Sequence, residues 1–342
     1  MQLLEKNRIV KILASIVIIM LLLMQMITIP DHPAIYNFLT WLTWPALFFI
    51  AGYYISEKGI KANVRHIVRC YLLPYIVTGV LIIVVNKITQ VLRLNGWINT
   101  PFPSMKTGLV TMLYGNGWPT GTLIGHRDFG IGLLWVLLAL FFGVGIQLVI
   151  NKIRIRSVKI VISLALMVLG FYLGTKVQLP WSLDAALIMQ PYILLGQSFK
   201  TVSITNISVP VTIVVGLLSV WVMAIGSGPF ELTLATTRYW FLGTVTAMLG
   251  LIMLILIASY MTKMLSNRFY DWFIELGDKQ SVNIAILAFV ILMLPVGQLI
   301  KVPYGAFIII YLITFAIVLA GKFVIRYIGQ HYFNWLEDEE IS

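Results

Sequence analysis

Four basic residues, Lys58, Lys61, Arg65 and Arg69, follow one another at intervals of three or four between two apolar runs. Helical spacing gathers such residues on one side, and a guanidinium offers paired donors to phosphate or carboxylate. The stretch either holds an anionic ligand or only marks the cytoplasmic side of a membrane protein, and both readings stand at this point. Asp184 is the second candidate. An acid beside or within an apolar run is expensive, so it reads as a functional carboxyl or as a cap on the helix that follows. His32, His66, His126 and His331 are scattered, and Cys70 is the only cysteine. No Cys/His spacing suits zinc, no structural metal is expected, and Cys70, beside the basic stretch, is placed near a reduced cytoplasmic face.

These residues hang on an apolar framework. The chain has 342 residues, of which 60% are hydrophobic and 11% charged, with a mean hydropathy of +0.94. Soluble domains hold roughly 25% charged residues, so the composition predicts an all-α polytopic membrane protein. A bilayer core of about 30 Å takes about 20 apolar residues per helix. On that measure the sequence predicts ten spans in a single membrane domain over residues 1–342: 12–29, 35–56, 67–88, 131–150, 158–174, 183–199, 207–226, 239–261, 282–300 and 304–325. The first run ends in Ile29-Pro30-Asp31-His32 without a small-residue cleavage pattern, and is read as an uncleaved helix rather than a signal peptide. Pro74 inside the third run is expected to bend it.

Charge gives an orientation. With both termini inside, 17 of the 24 basic residues fall on the cytoplasmic side, as the positive-inside rule requires. That need for loop cations accounts for the net charge of +11, so nucleic acid is not an expected partner. Residues 89–130 form a long outer loop dense in Gly, Pro and Asn. Its Trp97, Phe102 and Trp118 predict either an interfacial loop resting at the headgroups or a substrate lid. The tail 327–342 carries four consecutive acids, Glu337 to Glu340, and is placed on the cytoplasmic side. No internal repeat is evident.

Several segments fall in a recognisable order. Pro45-Ala46-Leu47-Phe48-Phe49-Ile50-Ala51-Gly52-Tyr53 precedes the basic stretch, which closes on Leu73-Pro74-Tyr75. Leu134-Trp135-Val136-Leu137-Leu138 follows, then Leu179-Pro180-Trp181-Ser182-Leu183-Asp184, Pro191-Tyr192-Ile193-Leu194-Leu195-Gly196 and Leu276-Gly277-Asp278-Lys279-Gln280-Ser281. In this order they resemble the membrane-bound acyltransferase 3 family, closest to its fucose 4-O-acetylase-like branch. The likeness runs from about residue 8 to residue 325.

The resemblance implies an acyl-CoA donor, usually acetyl-CoA, on the cytoplasmic side and a hydroxyl acceptor on a cell-surface glycan. Arg65 and Arg69, with Lys61 and Lys11, would then hold the donor's phosphates. Trp135 would stack on a base or sugar, or anchor at the interface. The family's usual first-span histidine, which takes the proton from the acceptor hydroxyl, has no counterpart: eleven residues after Arg8 and Lys11 stand Ile19 and Leu22. His126, in Gly125-His126-Arg127-Asp128, is a candidate substitute base on the outer side or a plain loop residue, as is His32. The expected function is O-acetyl transfer to a surface polysaccharide in the cell membrane. A catalytically degenerate partner in polysaccharide assembly is the second reading, and a glycan polymerase or transporter the third.

Overall fold

The computed structural model describes residues 2–26, 33–56, 59–94, 97–118, 129–201, 209–228, 230–232, 240–277 and 279–293. Its framework is all-helical, and six of its helices are long and apolar enough to cross a membrane, or seven if the bent pair near residue 278 makes one span. The predicted tenth span, the tail, His32, Lys58 and His126 lie outside the described residues.

Helix α1 (Gln2–Met26) and α2 (Pro33–Tyr53) are followed by α3 (Ile60–Ile67), a widened turn over Val68–Leu72, and α4 (Leu73–Val91). The basic stretch is therefore not a turn between spans. It is the first part of a helical run of 32 residues, Ile60–Val91. Pro74 has no N–H for the preceding turn and its ring crowds the carbonyl four residues back. The chain meets this with a π turn, in which Leu73 N–H reaches back five residues to the Val68 carbonyl. The helix widens and runs on rather than breaking.

The forty-residue loop is also partly helical. Helix α5 (Met105–Tyr114) starts with Ser104 capping Thr107 N–H at 3.1 Å and stops at Gly115, whose φ of 75° suits a residue without Cβ. It lies antiparallel along α4. The Phe102 carbonyl accepts from Asn86 Nδ2 at 2.9 Å near the far end of α4, while the Met112 carbonyl accepts from Tyr75 near its start. Eleven residues separate Tyr75 from Asn86, so α5 descends about 16 Å beside α4. Phe102, expected at the headgroups, is instead wholly buried as the anchor of this hairpin, while Trp97 and Trp118 are exposed.

Next come α6 (Trp135–Ile150) and α7 (Arg156–Gly174). The predicted span 183–199 is two short helices, α8 (Leu183–Ile188) and α9 (Gln190–Phe199), hinged at Met189. Pro191 cannot return an N–H to the Leu187 carbonyl, and at the same hinge the Gln190 side chain donates to the Ala186 carbonyl at 2.8 Å. Helix α9 packs on α2 with backbones in contact: a Cβ at Gly52 would fall on the Ile193 carbonyl, and one at Gly196 on the Phe49 carbonyl. Small residues at such crossings let dispersion replace the hydrophobic drive that lipid does not supply.

The remaining described helices are α10 (Val209–Ser227), α11 (Trp240–Met264), α12 (Asn267–Gly277) and α13 (Gln280–Met293). Helix α12 docks on α1. Ser15 Oγ donates to the Phe273 carbonyl at 2.7 Å and accepts from Gly277 N–H at 3.0 Å. The outward faces of α4, α7 and α10 are aliphatic, with Val80, Val161 and Val222 each more than half exposed. Such faces are costly in water and suit lipid.

Candidate functional site at the basic end of the bundle

One end of the bundle collects the cations. The start of α3 is tied back to the end of α2 by Asn63, which is buried. Its Nδ2 donates to the Ser56 carbonyl at 2.7 Å and the Gly59 carbonyl at 2.9 Å, and its Oδ1 accepts from Ser56 N–H at 2.8 Å. Gly59, at φ 99°, makes the turn possible. These bonds tie the start of the basic helix to the end of α2. Lys61, Arg65 and Arg69 are all exposed on it. The apolar remainder, 71–91, is about 31 Å long, which matches a bilayer core, and the part that precedes it projects about 16 Å farther. Within that part, Cys70 Sγ lies 3.6 Å from His66 Nδ1.

Beside this helix stands a second basic pair that sequence reasoning counted only as loop charge. Lys6 is buried and donates to the Lys200 carbonyl at 2.7 Å, and Lys200 Nζ in turn donates to the Ile55 carbonyl at 2.8 Å. Both ammonium groups thus sit at the C-terminal ends of helices, α9 and α2, where carbonyls lack helical donors and the helix dipole is negative. Each also lies over an aromatic ring, Lys6 over Phe199 at 5.9 Å and Lys200 over Tyr53 at 5.5 Å. The Tyr53 hydroxyl donates to Asn7 Oδ1, which joins α2 to α1. The signal in the sequence was slight: a lysine one residue past an aromatic at a helix end.

The expected site residues divide. Arg65, Arg69 and Lys61 share one helix face region at the basic end, and Lys11 is exposed at that end on α1. Helix α3 packs on α6 while α1 packs on α2, α11 and α12, so Lys11 belongs to a different wall. Trp135 does not join them. It opens α6, whose last turn is the part beside the basic end, and sixteen residues of helix put it about 24 Å away. It is buried with its ring 5.3 Å from Trp44, so it is neither an exposed stacking surface nor an interfacial anchor. The reason is volume: two indoles facing each other across α2 and α6 fill the gap between those helices.

Asp184 is buried in the first turn of α8 and its Oδ1 accepts from Ala185 N–H at 2.9 Å. The amide of Leu179 also faces the carboxyl. Asp184 stands two residues inside the N-cap position, Ser182, with its carboxyl on backbone amides at the positive end of the helix dipole. Ser15, the one hydroxyl of the first helix's interior, is engaged by α12 as described. Among the described residues no three His, Cys, Asp or Glu side chains gather to hold a metal.

Comparison of the chain with family models, with curated proteins and with solved structures gives no match. Functional argument therefore rests on the residues themselves.

Proposed function

We propose that this chain is a polytopic membrane O-acyltransferase that takes an acetyl group from acetyl-CoA and passes it to a hydroxyl of a cell-surface polysaccharide. The observation that carries the reading is the rigidly clamped basic helix, with Lys61, Arg65 and Arg69 exposed just beyond an apolar run of bilayer length. Guanidinium pairs in that position suit the phosphates of a nucleotide-linked donor. The ordered segments from Pro45 to Ser281 that resemble the acyltransferase 3 family supply the reaction class. In this reading ten spans cross the cell membrane, both termini are cytoplasmic, the basic end faces the cytoplasm, and the glycan acceptor meets the opposite end. The base is His126 or Asp184, with proton acceptance from the acceptor hydroxyl as its role.

Membrane vesicles holding the full chain, given radiolabelled acetyl-CoA and extracted glycan, test this directly. Transfer of label to the glycan, with a raised KM for the donor in Arg65→Ala and Arg69→Ala, is the expected result. No labelled glycan from the wild type would sink it.

One observation favours a second reading. The first helix carries no histidine and its interior hydroxyl, Ser15, is spent on α12. A catalytically silent relative that serves as a partner in polysaccharide assembly would have this character. Deletion of the gene would then leave glycan acetylation intact while altering chain assembly.

A further inference from the structure

The seam between α6 and α9 holds buried polar atoms that have no partner. Gln190 is fully buried at the α8–α9 hinge. Its Nε2 donates to the Gly143 carbonyl on α6 at 3.0 Å and to the Ala186 carbonyl at 2.8 Å. Those two bonds fix the amide's orientation, because a flip would set oxygen against two oxygens. Gln190 Oε1 is left without a hydrogen-bond partner.

Gln147, also fully buried, stands four residues after Gly143 and so on the same face of α6. Its Nε2 donates to Asn151 Oδ1 at 3.2 Å and to Gln197 Oε1 on α9 at 3.3 Å, and its Oε1 is likewise without a partner. A joint flip of these three amides would exchange an orphan acceptor for an orphan donor and remove neither. Two unpaired carboxamide oxygens thus belong to side chains that meet this seam one turn of α6 apart, Gln190 at Gly143 and Gln147 four residues on.

Buried acceptors of this kind are paired in folded proteins, and where protein donors are lacking the donor is ordered water. A metal cation is a poor occupant. The side chains bonded along this seam are neutral carboxamides, and an ion would bring an uncompensated charge into an apolar bundle. A water molecule donates two protons and so serves two acceptors at once. We infer that the α6–α9 seam binds internal water between Gln147 and Gln190. With Asn151 and Gln197 the bound water completes a polar track from the basic end to the α8–α9 hinge. The site does not depend on the acyltransferase reading.

Met189 gives the test. It is fully buried at the hinge, next to Gln190 in the chain, and Met253 is a comparably buried methionine packed on Gly216. Full-length protein in nanodiscs, equilibrated in oxygen-18 water and exposed to a short X-ray pulse, would be digested and its methionine oxidation measured by mass spectrometry. Met189 is expected to take up water-derived oxygen several-fold faster than Met253. In Gln147→Leu, which leaves both carbonyl bonds of Gln190 in place, that excess should fall. Equal rates at Met189 and Met253 in the wild type would overturn the inference. An excess at Met189 that Gln147→Leu does not reduce would overturn it as well.

Discussion

Gly196 of α9 lies directly against the Phe49 carbonyl of α2, and one turn along, Gly52 lies against the Ile193 carbonyl. Each glycine removes the one group that would hold the two backbones apart. Gly196→Ala and Gly52→Ala are each expected to destabilise the folded bundle by about 1–3 kcal/mol, the usual cost of overpacking. A thermal-unfolding series in detergent reads this, with Gly145→Ala, which meets nothing within 4 Å, as the neutral control. Tolerance of alanine at both contact glycines would mean that α2 and α9 are not in backbone contact.

Asn63 ties down the basic helix through three hydrogen bonds to the backbone of Ser56 and Gly59. In Asn63→Ala those bonds vanish and α3 loses its tie to α2, at a cost of about 1–3 kcal/mol. Because Lys61, Arg65 and Arg69 are untouched, a rise in donor KM here would report their placement rather than their charge. Retention of the donor KM would mean that α3 needs no such tie.

Pro74 and the π turn at Val68–Leu72 act together. Alanine at 74 restores an N–H and relieves the ring, so the turn is free to tighten to an ordinary helix. Losing the extra residue from that turn rotates the segment before it by about 100°. Pro74→Ala should therefore keep the melting temperature and lose donor binding, as the cations swing off their face. Titration with a CoA analogue distinguishes this from general unfolding.

Ser15 holds α12 by donating to Phe273 and accepting from Gly277. Ser15→Ala leaves the Gly277 N–H buried without its acceptor, which costs about 1–3 kcal/mol. Proteolysis between α12 and α13 should speed up relative to cleavage elsewhere. An unchanged digestion pattern would count against the contact.

Much of this was legible before any coordinates. The apolar runs gave α1, α2, α4, α6, α7, α10 and α11, because length and hydropathy alone decide whether a segment can face lipid. The periodic cations from Lys61 to Arg69 marked a helix face, although the sequence did not show that it continues into α4. What stayed hidden depended on partners far along the chain. Phe102 looks like an interfacial aromatic until Asn86 and Gln90 are seen bonding its carbonyl. The run 183–199 reads as one unbroken helix because hydropathy does not register the hinge at Met189 or the packing of α9 on α2, α6 and α7. Trp135 carries no sign of its neighbour Trp44, and Lys6 none of Lys200. The catalytic side is the least legible part, since His126 sits outside the described residues and the Asp184 carboxyl is engaged by backbone amides at the start of α8.

Lys6 and the carbonyl it caps are separated by 194 positions. During synthesis the ammonium group is made 194 positions before its acceptor, which follows only after α9. Until then α1 lacks that bond and is held at this end by the Tyr53–Asn7 bond to α2. Closure of the basic end is thus a late, long-range step. A chain halted before residue 200 should release α1 to protease, and one halted just after it should not.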